Sequence, residues 1–205
     1  MNNKVLLYVL GGVLGLGLII AIAVSAVSGG GPADEEAAFG EITVEGEQLP
    51  VFGGDPATDV APGLTAPTVT GEDFDGNAVS IAPDGRPKVV LFLAHWCPHC
   101  QDEVPDVVDW LAAGNQPEGV DFYAISTMAQ RLRGNWPPSE WLANEGWSIP
   151  TIHDDRSNSA SAAFGMQGTP FWVVLDGDNQ VVARIPGRVG QAGMDALFAT
   201  AAAEA

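Results

Sequence analysis

The chain holds two cysteines, Cys97 and Cys100, three positions apart in Trp96-Cys97-Pro98-His99-Cys100. An unbroken apolar run, Val89-Val90-Leu91-Phe92-Leu93-Ala94, precedes them, and Val104, Val107, Val108 and Leu111 follow at helical spacing. A short, β-branched run without polar alternation reads as a strand buried on both faces. The thiols then fall at a strand-to-helix junction, where a C-x-x-C pair can close a disulfide across one helical turn. The first thiol meets the unpaired N–H groups and the positive end of the helix dipole, which favour a thiolate. This is the setting of a redox-active cysteine. Two cysteines so spaced are too few to staple a fold, so they are not a disulfide framework.

The flanking sequence supplies the remaining elements. Asp75-Gly76-Asn77 is a turn signal between Phe74 and Val79-Ser80-Ile81 and predicts a hairpin. Asp84-Gly85-Arg86-Pro87 is a second turn, ahead of the central strand. Pro105 is expected to kink the helix after Cys100, and Gly114 to end it. A strand is predicted over Val120–Thr127, a helix over Ser139–Glu145 capped by Ser139, and an extended piece between Trp147 and Ile152. A short helix over Ser157–Phe164, a strand over Phe171–Leu175, a turn at Asp176-Gly177-Asp178-Asn179, a strand over Val181–Ile185 and a helix over Gly193–Ala203 complete the chain. Strands alternating with helices, then a hairpin and a last helix, predict an α/β fold: a central mixed sheet flanked by helices.

The N-terminal part differs in character. From Val5 to Val27 no residue carries a formal charge, and Leu, Ile, Val, Gly and Ala dominate. A helix of that length spans a hydrocarbon core of about 30 Å. Lys4 lies on one side, and Asp34, Glu35 and Glu36 are the first charges on the other. The positive-inside tendency puts the N-terminus in the cytoplasm and the cysteines outside the cell membrane, on a single-pass anchor over residues 1–28. A cleaved signal sequence is the alternative, and it too places the cysteines where disulfides persist. Residues 29–61, acidic and rich in Gly and Pro, read as a tether. Ile42–Val44 and Leu49–Phe52 offer either a short strand pair or extended chain wrapped on the domain, which would occupy residues 62–205. Acidic residues number 26 against 8 basic, a formal net charge of −18. Such a chain repels phosphate backbones, which excludes nucleic acid as a partner class.

Taken together, the residues resemble the thioredoxin fold, and more narrowly the membrane-anchored TlpA/ResA-type thioredoxin-like proteins of the redoxin branch. Four features carry the resemblance: Trp96-Cys97-x-x-Cys100 after a buried strand; Glu103 and Pro105, in the pattern C-x-x-C-x-x-E-x-P; Gly168-Thr169-Pro170 just before a strand, matching the cis-proline loop; and the hairpin ahead of the central strand. The Pro98-His99 pair is similar to that of DsbA-type oxidants. The position where thioredoxin carries a buried Asp, six residues before the first cysteine, holds Leu91, and Ala94 stands where a peroxiredoxin has threonine.

The resemblance implies thiol–disulfide exchange, with Cys97 attacking and Cys100 resolving the mixed disulfide. His99 would hydrogen-bond or lend charge to the Cys97 thiolate, and Glu103 would handle protons near the thiols. Trp96 would border the substrate groove. Pro170 would be cis, leaving the Thr169 backbone for strand-like pairing with client chain. His95 either lines that groove or faces solvent. Trp136, Trp141 and Trp147 read as packing, and His153-Asp154-Asp155 as a polar loop. No cofactor and no metal are implied: Gln101 stands where a c-type haem site needs His. The expected partners are client proteins bearing thiols or disulfides and a membrane redox partner that recycles the dithiol. The leading expectation is an extracytoplasmic oxidoreductase working as an oxidant. The alternatives are a TlpA/ResA-type reductase of envelope thiols, as in cytochrome c maturation, and a non-enzymatic copper- or zinc-binding module using His95, Cys97, His99 and Cys100.

Overall fold

The computed structural model describes residues 38–205. In chain order the elements are β1 (Thr43–Glu45), β2 (Thr68–Glu72), β3 (Ala78–Ile81), β4 (Lys88–Leu93), α1 (Pro98–Ala112), β5 (Asp121–Ser126), α2 (Pro138–Asn144), β6 (Thr151–His153), α3 (Ser159–Ala163), β7 (Phe171–Leu175), β8 (Val181–Pro186) and α4 (Gly190–Ala202). The main sheet has the order β6-β5-β4-β7-β8. The β4–β5 and β5–β6 pairs are parallel, while β7 and β8 run antiparallel to their neighbours. A second, antiparallel sheet holds β1, β2 and β3.

Every residue of β4 is buried, and its pleat explains the lack of polar alternation in its sequence. Val89, Leu91 and Leu93 join one core with Val104, Val107 and Trp110 of α1, Trp172 of β7 and Phe198 of α4. Val90 and Phe92 join a second core, on the other face, with Ile125, Phe171 and Val173. Each fully buried side chain of this size is worth about 1.5–3 kcal/mol. Lys88 is also fully buried. Its ammonium donates to the Ala82 carbonyl at 3.0 Å, Asp84 Oδ1 at 2.8 Å and the Arg86 carbonyl at 2.8 Å, which uses all three of its protons.

The second core is completed by chain that composition assigned to a tether. Between residues 38 and 61, Leu49, Phe52 and Ala61 are buried in it, and β1 pairs with β2. Leu49 and Phe52 donate their backbone N–H groups to the carbonyls of Ala163 and Gly165, both at 2.9 Å. The buried Arg184 of β8 forms an ion pair with Asp59 and donates to the Pro50 carbonyl at 2.8 Å. The structure thus combines the two readings that the sequence of this segment left open: Thr43–Glu45 is a short strand paired with β2, while Leu49 and Phe52 hold the following chain wrapped on the domain. Gly165 allows this close approach: its φ is +67°, and a Cβ there would lie 2.3 Å from the Pro50 oxygen.

The other element boundaries shift for local reasons. Helix α2 starts at Pro138, and Ser139 does not cap it. Proline at a first helical position has a fitting φ and no N–H to leave unpaired. Helix α3 is shorter than its sequence pattern, because Asn158 at its start is left-handed, with φ 57°. Helix α1 runs through Pro105 without interruption. The anchor expected over residues 1–28 lies outside the described residues, among which no helix is long and apolar enough to cross a membrane.

Candidate active site

The junction between β4 and α1 holds both thiols. Cys97 is the residue just before α1, with extended backbone (φ −78°, ψ 120°), and Pro98 opens the helix. The backbone N–H groups of Cys100 and Gln101 both donate to the Cys97 carbonyl at 3.0 Å, closing the first turn. Cys97 is 7% exposed and Cys100 is 0% exposed. The Cys97 thiol donates to the Thr169 carbonyl at 3.3 Å, and Cys100 Sγ accepts from the Ala94 N–H at 3.4 Å. Burial pushes the Cys100 thiol up to about 12, against the smaller opposing effects of the Ala94 N–H and Thr169. Both cysteines are unbridged.

The loop ahead of β7 meets the thiols from the other side. The Thr169–Pro170 peptide is cis, as the sequence pattern predicts. Pro170 is buried and Thr169 half-buried. The Pro170 carbonyl accepts from the Gly187 N–H at 2.8 Å, which fixes this loop to the end of β8. Cys97, Cys100, Thr169 and Pro170 thus converge, with half-buried Trp96 beside them.

His99 and Glu103 are placed differently. His99 is exposed on the first turn of α1. Glu103 is 1% exposed and turns toward α4, accepting from the Val189 N–H at 2.8 Å and the Gly190 N–H at 2.9 Å. Among the described residues it makes no hydrogen bond to either thiol. Burial raises the Glu103 carboxyl above its usual range, and the two backbone N–H groups oppose that shift. Glu103 supplies the acceptors for the N–H groups at the start of α4, and that helix begins at Gly190 rather than at the expected Gly193.

His95 neither lines a groove nor faces solvent: it is 0% exposed. Its Nε2 accepts from the Gln130 backbone N–H at 3.0 Å, and its Nδ1 lies 2.7 Å from the Gly134 carbonyl. A backbone N–H can only donate and a carbonyl can only accept, so the ring is neutral with its proton on Nδ1. Burial lowers the His95 pKa, in keeping with that form. The His95 carbonyl accepts from the side chains of Gln101 at 2.9 Å and Asn135 at 3.2 Å. Trp96 Nε1 donates to the Met128 carbonyl at 2.7 Å. These contacts bind the segment between β5 and α2 to the dithiol junction. The base of that segment is fixed by Asp154, which accepts from the Ala160 and Ser161 N–H groups and from the hydroxyls of Thr127 and Ser161. None of these long-range partners leaves a mark in the local sequence; a polar residue next to an apolar strand end is the nearest signal for His95. Among the described residues no group of three or more His, Cys, Asp or Glu side chains could hold a metal ion.

Comparison with known proteins agrees with this geometry. The family described as Redoxin matches residues 61–197. The thiol:disulfide interchange protein HelX of Rhodobacter capsulatus is 29% identical over 104 residues, 51% of this chain and 54% of that protein. The soluble secreted antigen MPT53 of Mycobacterium tuberculosis is 38% identical over 66 residues, 32% of this chain and 34% of that protein. The chain thus spans about half the length of these curated relatives or less. A thioredoxin family thiol:disulfide interchange protein from Chlorobium tepidum superposes with a TM-score of 0.56 at 26% identity, over 70% of this chain and 99% of that one. The architecture is therefore thioredoxin-like.

Proposed function

The chain belongs to the Redoxin family, and on that premise we propose that it is a thiol–disulfide oxidoreductase that oxidises client proteins outside the cytoplasm through Cys97 and Cys100. The observation that carries this reading is the inequality of the two thiols. Cys97 reaches the surface beside the Thr169 carbonyl, while Cys100 is sealed and held neutral.

In the oxidising direction a client thiolate attacks Cys97 Sγ of the Cys97–Cys100 disulfide. That bond breaks, and Cys100 leaves and takes a proton. A second client thiolate then attacks the client sulfur of the mixed disulfide, and Cys97 leaves as a thiolate. The client gains a disulfide and the protein is reduced by two electrons. The competing step is attack by Cys100 on Cys97, which returns the client reduced. It requires the Cys100 thiolate, which burial of that thiol disfavours. Leu91 offers no carboxylate beneath it, and both oxygens of Glu103 are engaged by α4. The mixed disulfide therefore persists long enough for the client's own second thiol to finish the reaction.

His99, exposed between the thiols, supplies a donor to the departing Cys97 thiolate. The Thr169 and Pro170 loop aligns extended client chain beside the sulfurs, with Trp96 as a wall. The domain is held outside the cytoplasm by the apolar segment over residues 1–28, and a membrane redox partner reoxidises the dithiol. A relative described as a soluble secreted antigen supports an extracytoplasmic site of action. A TlpA/ResA-type reductase is the second reading, favoured by Glu103 and Pro105 on α1. The metal-binding module is disfavoured, because both ring nitrogens of His95 are already engaged by backbone.

Equilibration of the dithiol against glutathione buffers, read by Trp96 fluorescence, separates these directions. A potential near about −120 mV is expected for the oxidant; a value at or below about −270 mV would establish the reductase.

A further inference from the structure

The segment between β5 and α2 is bound to the active-site junction at several points, yet the exchange chemistry itself needs no residue of its tip. Met128 donates its N–H to Asn158 Oδ1 at 2.9 Å, Gln130 and Gly134 are held by the His95 ring, and Asn135 by the His95 carbonyl. Arg133 N–H donates to the Gln130 carbonyl at 3.0 Å, closing a turn with Leu132 at its apex. Leu132 is 99% exposed. A lone surface leucine means nothing by itself. Here it sits on a turn held in place by buried contacts, beside a charge of unusual standing.

The chain carries 8 basic residues against 26 acidic. Arg86, Lys88, Arg184 and Arg188 are paired with Asp121, Asp84, Asp59 and Asp106. Arg133 is exposed and pairs with no carboxylate among the described residues. Its Nε donates to Gln130 Oε1 at 3.3 Å, and its guanidinium carbon lies 5.1 Å from the centre of the Trp96 ring. Stacking over Trp96 holds the planar group beside the residue that precedes Cys97. It leaves the two terminal nitrogens open as a fork for a carboxylate.

We propose that this loop selects clients: Arg133 and Leu132 recognise an extended segment that carries a carboxylate and an apolar side chain next to its reactive cysteine. The proposal rests on the exchange reading above and names its substrate class. It runs against the long-range field of a chain with net charge −18, which alone would favour basic clients. The two origins of selectivity therefore give opposite orders.

The test uses the reduced full chain and three peptides that share a leucine and a cysteine and differ only in a flanking Glu, Gln or Lys. The cysteine carries a neutral thiopyridyl group. Cys97 thiolate attacks the peptide sulfur, the bond to the pyridyl sulfur breaks, and thiopyridone leaves with a proton and is read by its absorbance. Cys100 then gives up its proton to solvent, attacks Cys97 Sγ and releases the peptide thiol. At low salt the Glu peptide is expected to react about three- to five-fold faster than the Lys peptide. Arg133→Gln should abolish the preference for the Glu peptide and leave only the weaker preference of the field for the Lys peptide, and Arg133→Glu should reverse the order more strongly. Leu132→Ser should slow all three about three-fold and keep the order. Ratios are taken within each variant, whose urea midpoint reports that it is folded. Equal rates in the unmodified chain, a faster Lys peptide, or an order that survives Arg133→Glu overturns the proposal and leaves the exchange reading standing. Thiopyridone release no faster than from Cys97→Ser overturns that reading itself.

Discussion

Glu103 shows how a residue can fit a family pattern and still be engaged elsewhere. Its buried carboxylate joins α1 to the first N–H groups of α4. Replacing it by alanine leaves those donors short of acceptors, at about 1–3 kcal/mol. Glu103→Ala should lower urea stability by that amount and change the exchange rate less than about three-fold; a loss of rate beyond ten-fold, with the fold intact, would assign Glu103 a role in proton transfer. His95 gives a pH test. Its pKa in the folded chain lies below the ordinary 6.5, so the unfolded chain binds the extra proton first. Its contribution to stability is therefore complete above about pH 6.5 and is lost as pH falls through and below that value. The raised pKa of Glu103 acts with the opposite sign in acid. Urea midpoints at about pH 7.5 and about pH 5 should accordingly fall more in the unmodified chain than in His95→Gln, where Glu103 is common to both; equal falls would remove His95 from the account. Cys97, Cys100, Thr169 and Pro170 were legible because short motifs place them. The partners of His95 and Glu103 were not, because they lie 35 to 87 residues away along the chain.

Strands proved more legible than the chain that covers them. Phe171–Leu175 is bounded by the Thr169-Pro170 loop and the Asp176-Gly177 turn, and every residue is apolar, so pattern and structure agree to the residue. The ends of α2 and α4 moved because proline geometry and a distant carboxylate set them rather than local capping. The segment 38–61 looks like linker because its buried side chains are few and separated by Gly, Pro and Asp. Leu49, Phe52 and Asp59 nevertheless find partners at Ala163, Gly165 and Arg184. The Arg184–Asp59 pair is the main polar lock, with side chains 0% and 2% exposed. The Arg184 guanidinium holds the Asp59 carboxyl below the usual range. Removing one partner strands a buried charge, so Asp59→Ala or Arg184→Met should each cost about 3–5 kcal/mol in urea unfolding. The double variant should cost well under the sum, and strict additivity would mean that the two charges do not act as a pair.

At the scale of the whole molecule, a sheet buried on both faces presents one edge of chemistry: two thiols between β4 and α1, a cis-proline loop and a pinned segment carrying Arg133. Against 26 acidic residues and 8 basic ones, that arginine is conspicuous. The Redoxin match over residues 61–197 assigns the domain a chemistry. The exchange reaction proposed for the dithiol requires unequal roles for the two cysteines. The direct measurement is covalent trapping: full-length Cys97→Ser and Cys100→Ser chains, reduced and then incubated with an unfolded protein bearing a disulfide, are resolved without reductant and mapped by mass spectrometry. Cys100→Ser should accumulate a mixed disulfide through Cys97, at least about ten-fold above Cys97→Ser, whose remaining thiol is sealed and protonated. Equal trapping by the two variants, or trapping through Cys100 alone, would contradict the account.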